Sequence, residues 1–356
     1  MRYFLELCLK SVHDAIKNID AEIIVVDNKS TDDSCKMVKA QFPHVILIEN
    51  KENFGFSKGN NIAVSRAKGE FVCILNPDTV LPEDVFEKLL VFCTSKEKLG
   101  IVGCKLINGR GEFLPESKRN IPFIKAALKK LCGNSKDYYA SQLGENETGK
   151  VAVLVGAFMF MQRKLYSDIG GFDEDYFMYG EDIDLSYKVL KAGYNNYYFG
   201  NTAIIHFKGE STLRDKYYAK RFYDAMQVFY SKHFKKNLIF NILVWFGIRL
   251  VYVFRKTPIT KKKITEHYIF VSKKRNNLLE KVITKGIELQ PILNENLRKN
   301  TEIIFDGNLL DYSEIIKLME NNNKEKSITF KILPKKSNFI IGSDNAISRG
   351  EILNFN

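Results

Sequence analysis

The chain has 356 residues, of which 45% are hydrophobic and 27% are charged. These proportions are typical of a globular protein with one large core or two smaller ones, and they exclude a disordered or fibrous chain. The formal net charge is +12, but no recognised nucleic-acid-binding motif accompanies the basic residues, so nucleic acid is not an expected partner.

The cysteines and the amino terminus indicate a cytosolic protein. None of the six cysteines shows the paired spacing of a metal site, and Cys73 lies in an apolar run, so we expect reduced thiols. The first residues contain no long apolar core and no small-residue cleavage site, so no secretory signal is expected.

Helical and strand-like patterns alternate through the first 235 residues. Apolar residues recur at helical spacing over 3–17, and short apolar runs follow this helix. This alternation predicts an α/β fold with a doubly wound, mostly parallel sheet. The other predicted helices end at 67 or span 83–94, 124–131, 181–192 and 215–232, and the predicted strands span 22–26, 45–48, 71–75, 101–106, 151–155, 158–161, 197–199 and 203–205.

The run Phe71–Leu75 is the most informative of the predicted strands. It is continuously apolar rather than alternating, which is typical of a strand buried on both faces of a parallel sheet. Asn76 and Pro77 end it, so Asp78 lies at the carboxyl end of a strand, where open α/β sheets bind their ligands. The alternative is a turn aspartate that hydrogen-bonds its own backbone.

Three acids open the predicted helix 181–192. Helical spacing turns Asp182 toward the sheet and Glu181 away from it. An inward carboxylate can accept a proton from a hydroxyl nucleophile. The alternative is that the acids of this first turn interact favourably with the helix dipole.

His206 directly follows the predicted strand 203–205. A single histidine after an apolar run is usually a structural group. Paired with Asp78, however, it would supply imidazole and carboxylate ligands, which together with phosphate oxygens suit Mn²⁺ or Mg²⁺. The two residues therefore form a candidate metal site if the fold brings them together.

Residues 238–254 form an apolar stretch, and eleven lysines and arginines lie between Lys235 and Arg275. The stretch is interrupted by polar residues and is slightly short for a membrane span. Basic flanks with aromatic residues favour a helix that lies on an anionic membrane surface. A buried helix that packs on the preceding domain is the alternative. We assign 236–299 to a basic and apolar helical segment. If its helix lies on the membrane surface, this segment makes a peripheral membrane contact.

Residues 300–356 are predicted to form a small βαββ appendage of Rossmann-like type. Strand patterns over 301–307, 327–333 and 338–343 flank a helical pattern over 312–320. The segment has no GxGxxG motif, so we assign it no cofactor. An interaction or packing module is the expected role.

Seven short motifs follow one another over the α/β pattern of the first 235 residues. The ordered set resembles the family-2 inverting glycosyltransferases, and within them the rhamnosyltransferase-like branch that builds bacterial surface polysaccharides. Each motif is weak alone, but seven in the right order are specific. The motifs are Ile23–Asp32, Asn53–Asn61, Leu75–Asp78, Val155–Met159, Gly171–Glu174, Gly180–Leu185 and His206.

The resemblance implies a GT-A fold, a nucleotide-diphosphate sugar donor and a divalent metal, Mn²⁺ or Mg²⁺. By matching position, Asp78 and His206 are the metal ligands, and Asn76 replaces the first aspartate of the family's Asp-x-Asp motif. Asp182 matches the catalytic base, with Glu181 as the second choice for that role. The residues that the resemblance assigns to nucleotide-sugar binding are Asp27, which reads the base, Asn28, Asn53, Gly55, Lys58, Asn60, Asn76, Asp78 and Gly156.

The sequence departs from the family at its first residues. Family members begin with a strand of the type Val-Ser-Ile-Ile-Ile-Val-Asn-Tyr-Asn, and this sequence begins at the helix that follows it. That strand normally lies inside the sheet, so its loss is expected to expose backbone groups and apolar surface. We therefore expect residues 1–235 to form a GT-A domain that lacks its first strand and is poorly active or unstable.

The implied activity is transfer of a sugar from a dTDP-rhamnose-like or UDP-sugar donor to a hydroxyl of a lipid-linked or polysaccharide acceptor. The metal would neutralise the leaving diphosphate, and a single displacement would invert the anomeric centre. The expected location is the cytoplasm, at the inner face of the plasma membrane if the basic segment binds it. The alternatives are a non-catalytic binding protein and, less favoured because no Gly-rich basic loop follows the first strand, a sugar nucleotidyltransferase.

Overall fold

The computed structural model describes residues 1–123, 137–208, 216–234, 264–294, 296–323, 327–345 and 350–355. The predicted local helix over 124–131 and the apolar stretch 238–254 lie outside these ranges. Within them, no helix is long and apolar enough to cross a membrane. The five cysteines that these ranges contain are free.

Strands and helices alternate through the first part of the chain, and the α/β class predicted from the sequence is confirmed. The first helix forms because Phe4, Leu7 and Val12 recur on one face, which is buried. The elements of this part are α1 (Arg2–Ala15), β1 (Ile24–Asp27), α2 (Ser34–Gln41), β2 (Ile46–Glu49), α3 (Gly55–Arg66), β3 (Phe71–Leu75), β4 (Thr79–Val80), α4 (Val85–Thr94), β5 (Leu99–Ile107), β6 (Thr148–Val151), β7 (Phe158–Gln162), α5 (Arg163–Asp168), α6 (Glu181–Lys191), β8 (Asn195–His206) and α7 (Lys216–His233).

The central sheet has the strand order β3-β7-β5-β8-β4, and β6 pairs with β8 outside this path. β3 has the predicted bounds, but its neighbour β7 runs antiparallel to it, whereas the continuous apolar run indicated parallel neighbours. Only Val72 and Ile74 of β3 are fully buried, and the alternating residues Phe71, Cys73 and Leu75 are partly buried, so the expected burial on both faces is not complete. β5 and β8 are parallel, and β8 is one strand of 12 residues rather than the two short strands predicted.

β1 and β2 form a separate two-stranded parallel sheet. Within the described ranges, β1 pairs with no strand on its other side, and β3 is the last strand of the central sheet. Residues of both strands line the same cavity. Two strand edges and the apolar side chains around them are therefore open to a common space.

A second sheet follows in the C-terminal part, with the strand order β10-β9-β11-β12-β13-β14. Its first four strands pair in parallel and its last two pair antiparallel. The elements are β9 (His267–Val271), α8 (Asn277–Val282), β10 (Glu288–Gln290), β11 (Thr301–Asp306), α9 (Tyr312–Asn321), β12 (Thr329–Leu333), β13 (Phe339–Gly342) and β14 (Glu351–Asn354).

The predicted boundary at residue 300 is wrong for the described residues. The βαββ order of 300–356 is present, but β9 and β10 add two strands from the segment 236–299 that we predicted to be helical. β9 pairs along its whole length with β11, so the second sheet begins at His267. The basic residues around this short apolar run concealed its strand character.

The two sheets share one hydrophobic core. Val80, Ile205 and Phe207 of the first part pack in a single cluster with residues of β11, α9 and β12. A Cβ atom at Gly109 would lie 2.3 Å from the backbone oxygen of Ser343, so only glycine permits this close approach. The second sheet is therefore an integral part of the fold that supports the ends of β4 and β8.

A carboxylate of the first part caps a helix of the second. Glu83 accepts hydrogen bonds from the backbone amides of Tyr312, at 2.6 Å, and Ser313, at 3.0 Å. These amides belong to the first turn of α9, which has no acceptors of its own for them. Glu83 thereby fixes the second sheet and its helix to the first part of the chain.

We expect Glu83→Ala to lower the free energy of unfolding by about 1–2 kcal/mol, because two helix-end amides lose their charged acceptor. Urea unfolding followed by circular dichroism measures this change. Glu87→Ala is the matched control, because Glu87 is exposed, and its effect should stay below about 0.5 kcal/mol. Equal losses in the two variants would contradict a capping role for Glu83.

Candidate active site

A cavity of about 1160 Å³ opens at the carboxyl ends of the central strands and extends between β1 and β3. Its inner part is apolar and is walled by α1, β1 and β3. Its outer part is polar and collects most of the residues that the sequence assigned to the site. Those that line the cavity are Asn28, Asn53, Gly55, Asn60, Asn76, Gly156, Glu181, Asp182 and His206.

Asp78 and His206 meet at the ends of neighbouring strands. β4 and β8 pair with Thr79 opposite His206, and the backbone oxygen of Asp78 accepts a hydrogen bond from Phe207 at 3.0 Å. This register brings His206 Nε2 to 3.4 Å from Asp78 Oδ1. The amide of Asn76 lies 3.3 Å from the same imidazole nitrogen.

The side-chain atoms of this pair have the properties of metal ligands. Asp78 is fully buried, yet neither of its carboxylate oxygens has a hydrogen-bond partner among the described residues. His206 Nδ1 is also buried without such a partner. An unpaired buried carboxylate is costly, and a divalent cation held by oxygen and imidazole ligands would remove that cost. The donor set therefore fits a divalent metal ion.

Glu181 and Asp182 begin α6 after an unusual backbone turn. Tyr179 and Gly180 both have left-handed backbone conformations, with φ angles of 70° and 81°. Such a conformation is strained for tyrosine and is accessible to glycine. The turn directs both carboxylates into the cavity, where Asp182 was predicted to point and Glu181 was predicted to turn away.

Asp182 forms a buried ion pair with Arg119. Arg119 Nη2 donates to Asp182 Oδ2 at 2.5 Å and also to the backbone oxygen of Leu154 at 2.9 Å. The amide of Gly156 donates to the same carboxylate oxygen at 3.1 Å, and that of Ile183 donates to Oδ1 at 2.8 Å. These bonds hold the carboxylate in one orientation at the cavity wall.

Glu181 has the opposite environment. Burial first, and then the negative charge of Asp182, raise the pKa of Glu181 to about 8. Its Oε2 atom is buried without a hydrogen-bond partner in the described part of the chain. The two adjacent carboxyl groups therefore differ in protonation at neutral pH, with Glu181 protonated and Asp182 paired with a cation.

Asparagine side chains hold the predicted nucleotide-binding loop in place, one from within the loop and one from the turn after β1. Asn28 Nδ2 donates to the backbone oxygen of Gly55 at 2.9 Å, and Asn60 Nδ2 donates to that of Phe56 at 2.9 Å. Gly55 has φ 79°, and a Cβ atom there would lie 2.4 Å from the backbone oxygen of Phe177. These contacts fix the start of α3 at the cavity rim.

Three residues assigned from the sequence are not among those that line the cavity: Asp78, which is fully buried, Asp27 and Lys58. Asp27 Oδ2 accepts a hydrogen bond from the amide of Ser30 at 3.0 Å, so it stabilises the turn after β1. The ammonium of Lys58 lies 4.1 Å from the centre of the Phe54 ring. In this conformation neither side chain belongs to the wall of the cavity.

The charged residues of the wall that were not predicted from the sequence include Glu116, Arg119 and Lys208. Glu116 and Arg119 lie in the irregular stretch after β5, and Lys208 follows His206 by two residues. The irregular stretch has no periodicity from which the direction of a side chain could be inferred. Lys208 was detectable, because it follows a metal-ligand candidate at the alternating spacing of a strand.

An α/β sheet with paired acids and a histidine around one cleft at its strand ends defines an enzyme that acts on a bound ligand. Residues 3–170 match the family described as Glycosyl transferase family 2. The resemblance of the motifs to the family-2 glycosyltransferases is therefore confirmed over this region.

Relatives with assigned names are similar to about half of the chain. The chain is 26% identical over 211 residues to N-acetylglucosaminyl-diphospho-decaprenol L-rhamnosyltransferase of Mycobacterium tuberculosis, which covers 54% of this chain and 68% of that protein. It is 26% identical over 207 residues to rhamnosyltransferase WbbL of Escherichia coli, and this alignment covers 54% of the chain and 76% of that protein. Among solved structures, mannosyltransferase PcManGT of Pyrobaculum calidifontis superimposes with a TM-score of 0.46 at 17% identity, and the match covers 71% of this chain and 67% of that one.

The raised pKa of Glu181 predicts a pH dependence of stability. A glutamate in the unfolded chain has a pKa near 4.5, so the folded protein binds this proton more tightly. The resulting stabilisation is complete below about pH 4.5 and is lost as the pH rises through about 8. Over this window we expect the free energy of unfolding of the wild type to fall by on the order of 2–5 kcal/mol relative to Glu181→Gln.

Urea unfolding at several pH values between 5 and 8.5 measures this difference. Glu97→Gln, at an exposed position, is the control and should keep the pH dependence of the wild type. If Glu181→Gln also kept the pH dependence of the wild type, the carboxyl group of Glu181 would be ionised in the folded protein at neutral pH, contrary to our interpretation.

Proposed function

We propose that the protein transfers a sugar from a nucleotide-diphosphate donor to a hydroxyl group of a glycan or lipid-linked acceptor, with inversion at the anomeric carbon. The observation that carries this proposal is the placement of two different acidic sites around one cavity. His206 lines the cavity and pairs with the buried Asp78 at the strand ends, and Asp182 lines the cavity at the start of α6. The first site suits a diphosphate with its cation, and the second suits an attacking hydroxyl.

A divalent metal, Mn²⁺ or Mg²⁺, fits between the donor and the strand ends. Asp78 and His206 would hold it, and Asn76 lies next to the imidazole. When bound, the ion supplies Lewis-acid stabilisation for the charge that develops on the leaving diphosphate. The chain itself contributes the rigid pairing of β4 with β8, which presents both ligands on the same side.

Asp182 is the better candidate for the general base. A base must be ionised to accept a proton, and Glu181 keeps its own proton up to about pH 8. A carboxylate has about four lone-pair positions, and those of Asp182 accept three hydrogen bonds from protein donors. One position on Oδ1 remains for the hydroxyl of the acceptor.

The names of the relatives support a rhamnose-like donor sugar and a lipid-linked acceptor. Two of them are L-rhamnosyl- or rhamnosyltransferases, and one name includes a diphospho-decaprenol acceptor. A dTDP-sugar or a UDP-sugar fits the same cavity chemistry. We propose that the reaction takes place on the cytoplasmic side of a membrane, where the basic segment after residue 234 would contact anionic lipid.

The open space between β1 and β3 favours a second candidate function, a donor-binding protein with little or no transferase activity. β1 carries Asp27, the residue proposed to read the base, and it is not paired with the central sheet. A weakly fixed β1 would lower donor affinity. Turnover of the donor distinguishes the two candidates.

Calorimetric titration with UDP and with dTDP, each with and without Mn²⁺, tests donor binding. We expect one nucleotide to bind in a metal-dependent manner and Asp78→Ala to weaken this binding at least tenfold, because a charged ligand of the cation is lost. Asp168→Ala, an exposed residue of α5, is the control and should bind as the wild type does. Metal dependence that persists unchanged in Asp78→Ala would remove Asp78 from the site.

Replacement of the two acids of α6 tests the assignment of the base. Asp182→Asn should reduce transfer by about 10²–10⁴-fold with donor affinity largely retained, because the proton acceptor is lost and the shape is kept. Glu181→Gln should retain most of the activity at pH 7, where Glu181 is already protonated. Release of the nucleoside diphosphate in the presence of acceptor measures transfer, and the reverse order of effects would assign the base to Glu181.

A further inference from the structure

Lys208 and Glu116 form an ion pair on the wall of the cavity, beside the strand ends that carry Asp78 and His206. Both side chains are about four-fifths buried, and the ammonium of Lys208 donates to Glu116 Oε1. Lys208 has a left-handed backbone conformation with φ 55°, directly after the end of β8. Both residues line the cavity.

Lys208 differs from the other cation of the cavity wall in the groups that it binds. Among the described residues that line the cavity, only Arg119 and Lys208 have a permanent positive charge. The guanidinium of Arg119 is bound to Asp182 and to the backbone oxygen of Leu154. Lys208 can therefore exchange its partner Glu116 for a ligand without breaking the hydrogen bonds of Asp182, whereas Arg119 cannot.

The backbone that carries Glu116 is fixed, so Glu116 restrains the position of the Lys208 ammonium. A single 3₁₀ turn over Pro115–Ser117 carries Glu116, and Ser117 Oγ fixes this turn by accepting a hydrogen bond from the amide of Leu106 at 3.1 Å. Burial alone would raise the pKa of Glu116, but the charges of Lys208 and His206 lower it below its usual value. Glu116 thus presents a full negative charge to Lys208.

We propose that Lys208 binds the diphosphate group of the donor and that Glu116 holds its ammonium in place, and partly neutralises it, while the cavity contains no diphosphate. This inference rests on the proposed function, because it requires a nucleotide-diphosphate ligand. A diphosphate brings several negative charges to the strand ends, next to the candidate metal ligands. The three N–H donors of the ammonium suit phosphate oxygens, and the multiply charged ligand competes with the single carboxylate.

The two partners of the ion pair should then affect binding in opposite directions. Removing the Lys208 charge takes a charge-assisted contact away from the diphosphate, so affinity falls. Removing the Glu116 charge frees the ammonium, so affinity rises. A pair with only a structural role predicts the same direction for both changes, because either one breaks the pair.

The test compares Lys208→Met and Glu116→Gln with the wild type by calorimetric titration in the presence of Mn²⁺. The probes are UDP and dTDP, and for the one that binds, its nucleoside monophosphate. We expect Lys208→Met to weaken diphosphate binding by about tenfold or more and to reduce the preference for diphosphate over monophosphate. Glu116→Gln should strengthen diphosphate binding several-fold. Lys208→Arg, which keeps the charge, should bind more tightly than Lys208→Met.

Lys164→Met is the control for net charge, because Lys164 lies in an exposed ion pair on α5, and it should bind as the wild type does. Equal affinity of Lys208→Met and the wild type for the diphosphate, or weaker binding by Glu116→Gln, would overturn the inference and leave the proposed function intact. Failure of the wild type to bind either diphosphate would overturn the proposed donor class, and this inference with it.

Discussion

The buried carboxylate of Asp78 is the constraint on which the site depends. It directly precedes β4 and has no hydrogen-bond partner in the described part of the protein, and His206 Nε2 lies 3.4 Å from its Oδ1 atom. An uncompensated buried charge costs several kcal/mol. The short pairing of β4 with the end of β8 imposes this cost, because it fixes Asp78 and His206 side by side. If this pair binds a divalent cation, as we propose, the cation would relieve the local instability that the pairing maintains.

The second sheet explains how such a short strand stays in place. β4 has two residues, and two residues cannot form a stable strand on their own. Val80 packs in the same cluster as Ile205 and Phe207, under residues from β11, α9 and β12. Glu83, three residues beyond Val80, caps α9. The C-terminal part thus covers the apolar side of the strand ends, and their polar side faces the cavity.

The α/β class and the positions of several strands could be predicted from the sequence, but the order and direction of the strands in the sheets and the contacts between distant segments could not. β3 has the predicted bounds because a continuous apolar run ended by Asn76 and Pro77 is unambiguous. β8 was divided in two because Gly200 and Asn201 interrupt its apolar pattern; its pairing with β5 shifts register at this point and resumes at Ala203. Arg119 was missed because it lies in an irregular stretch, where only the three-dimensional structure shows that it reaches Asp182. β9 was missed because basic neighbours dominate the composition around it.

The shared core has a consequence for the cooperativity of unfolding. Since Val80, Ile205 and Phe207 contribute to the same cluster as β11 and β12, neither sheet can lose its structure without exposing apolar surface of the other. Local openings that separate the sheets therefore require nearly the full free energy of global unfolding, and β4 and the end of β8 belong to the most protected cooperative unit. Among the described residues, β1 pairs with β2 on one side only and borders the cavity on the other, so this small sheet is less protected. Slow motions of the protein should consequently concentrate at the side of the cavity that β1 borders, and the strand ends should stay rigid.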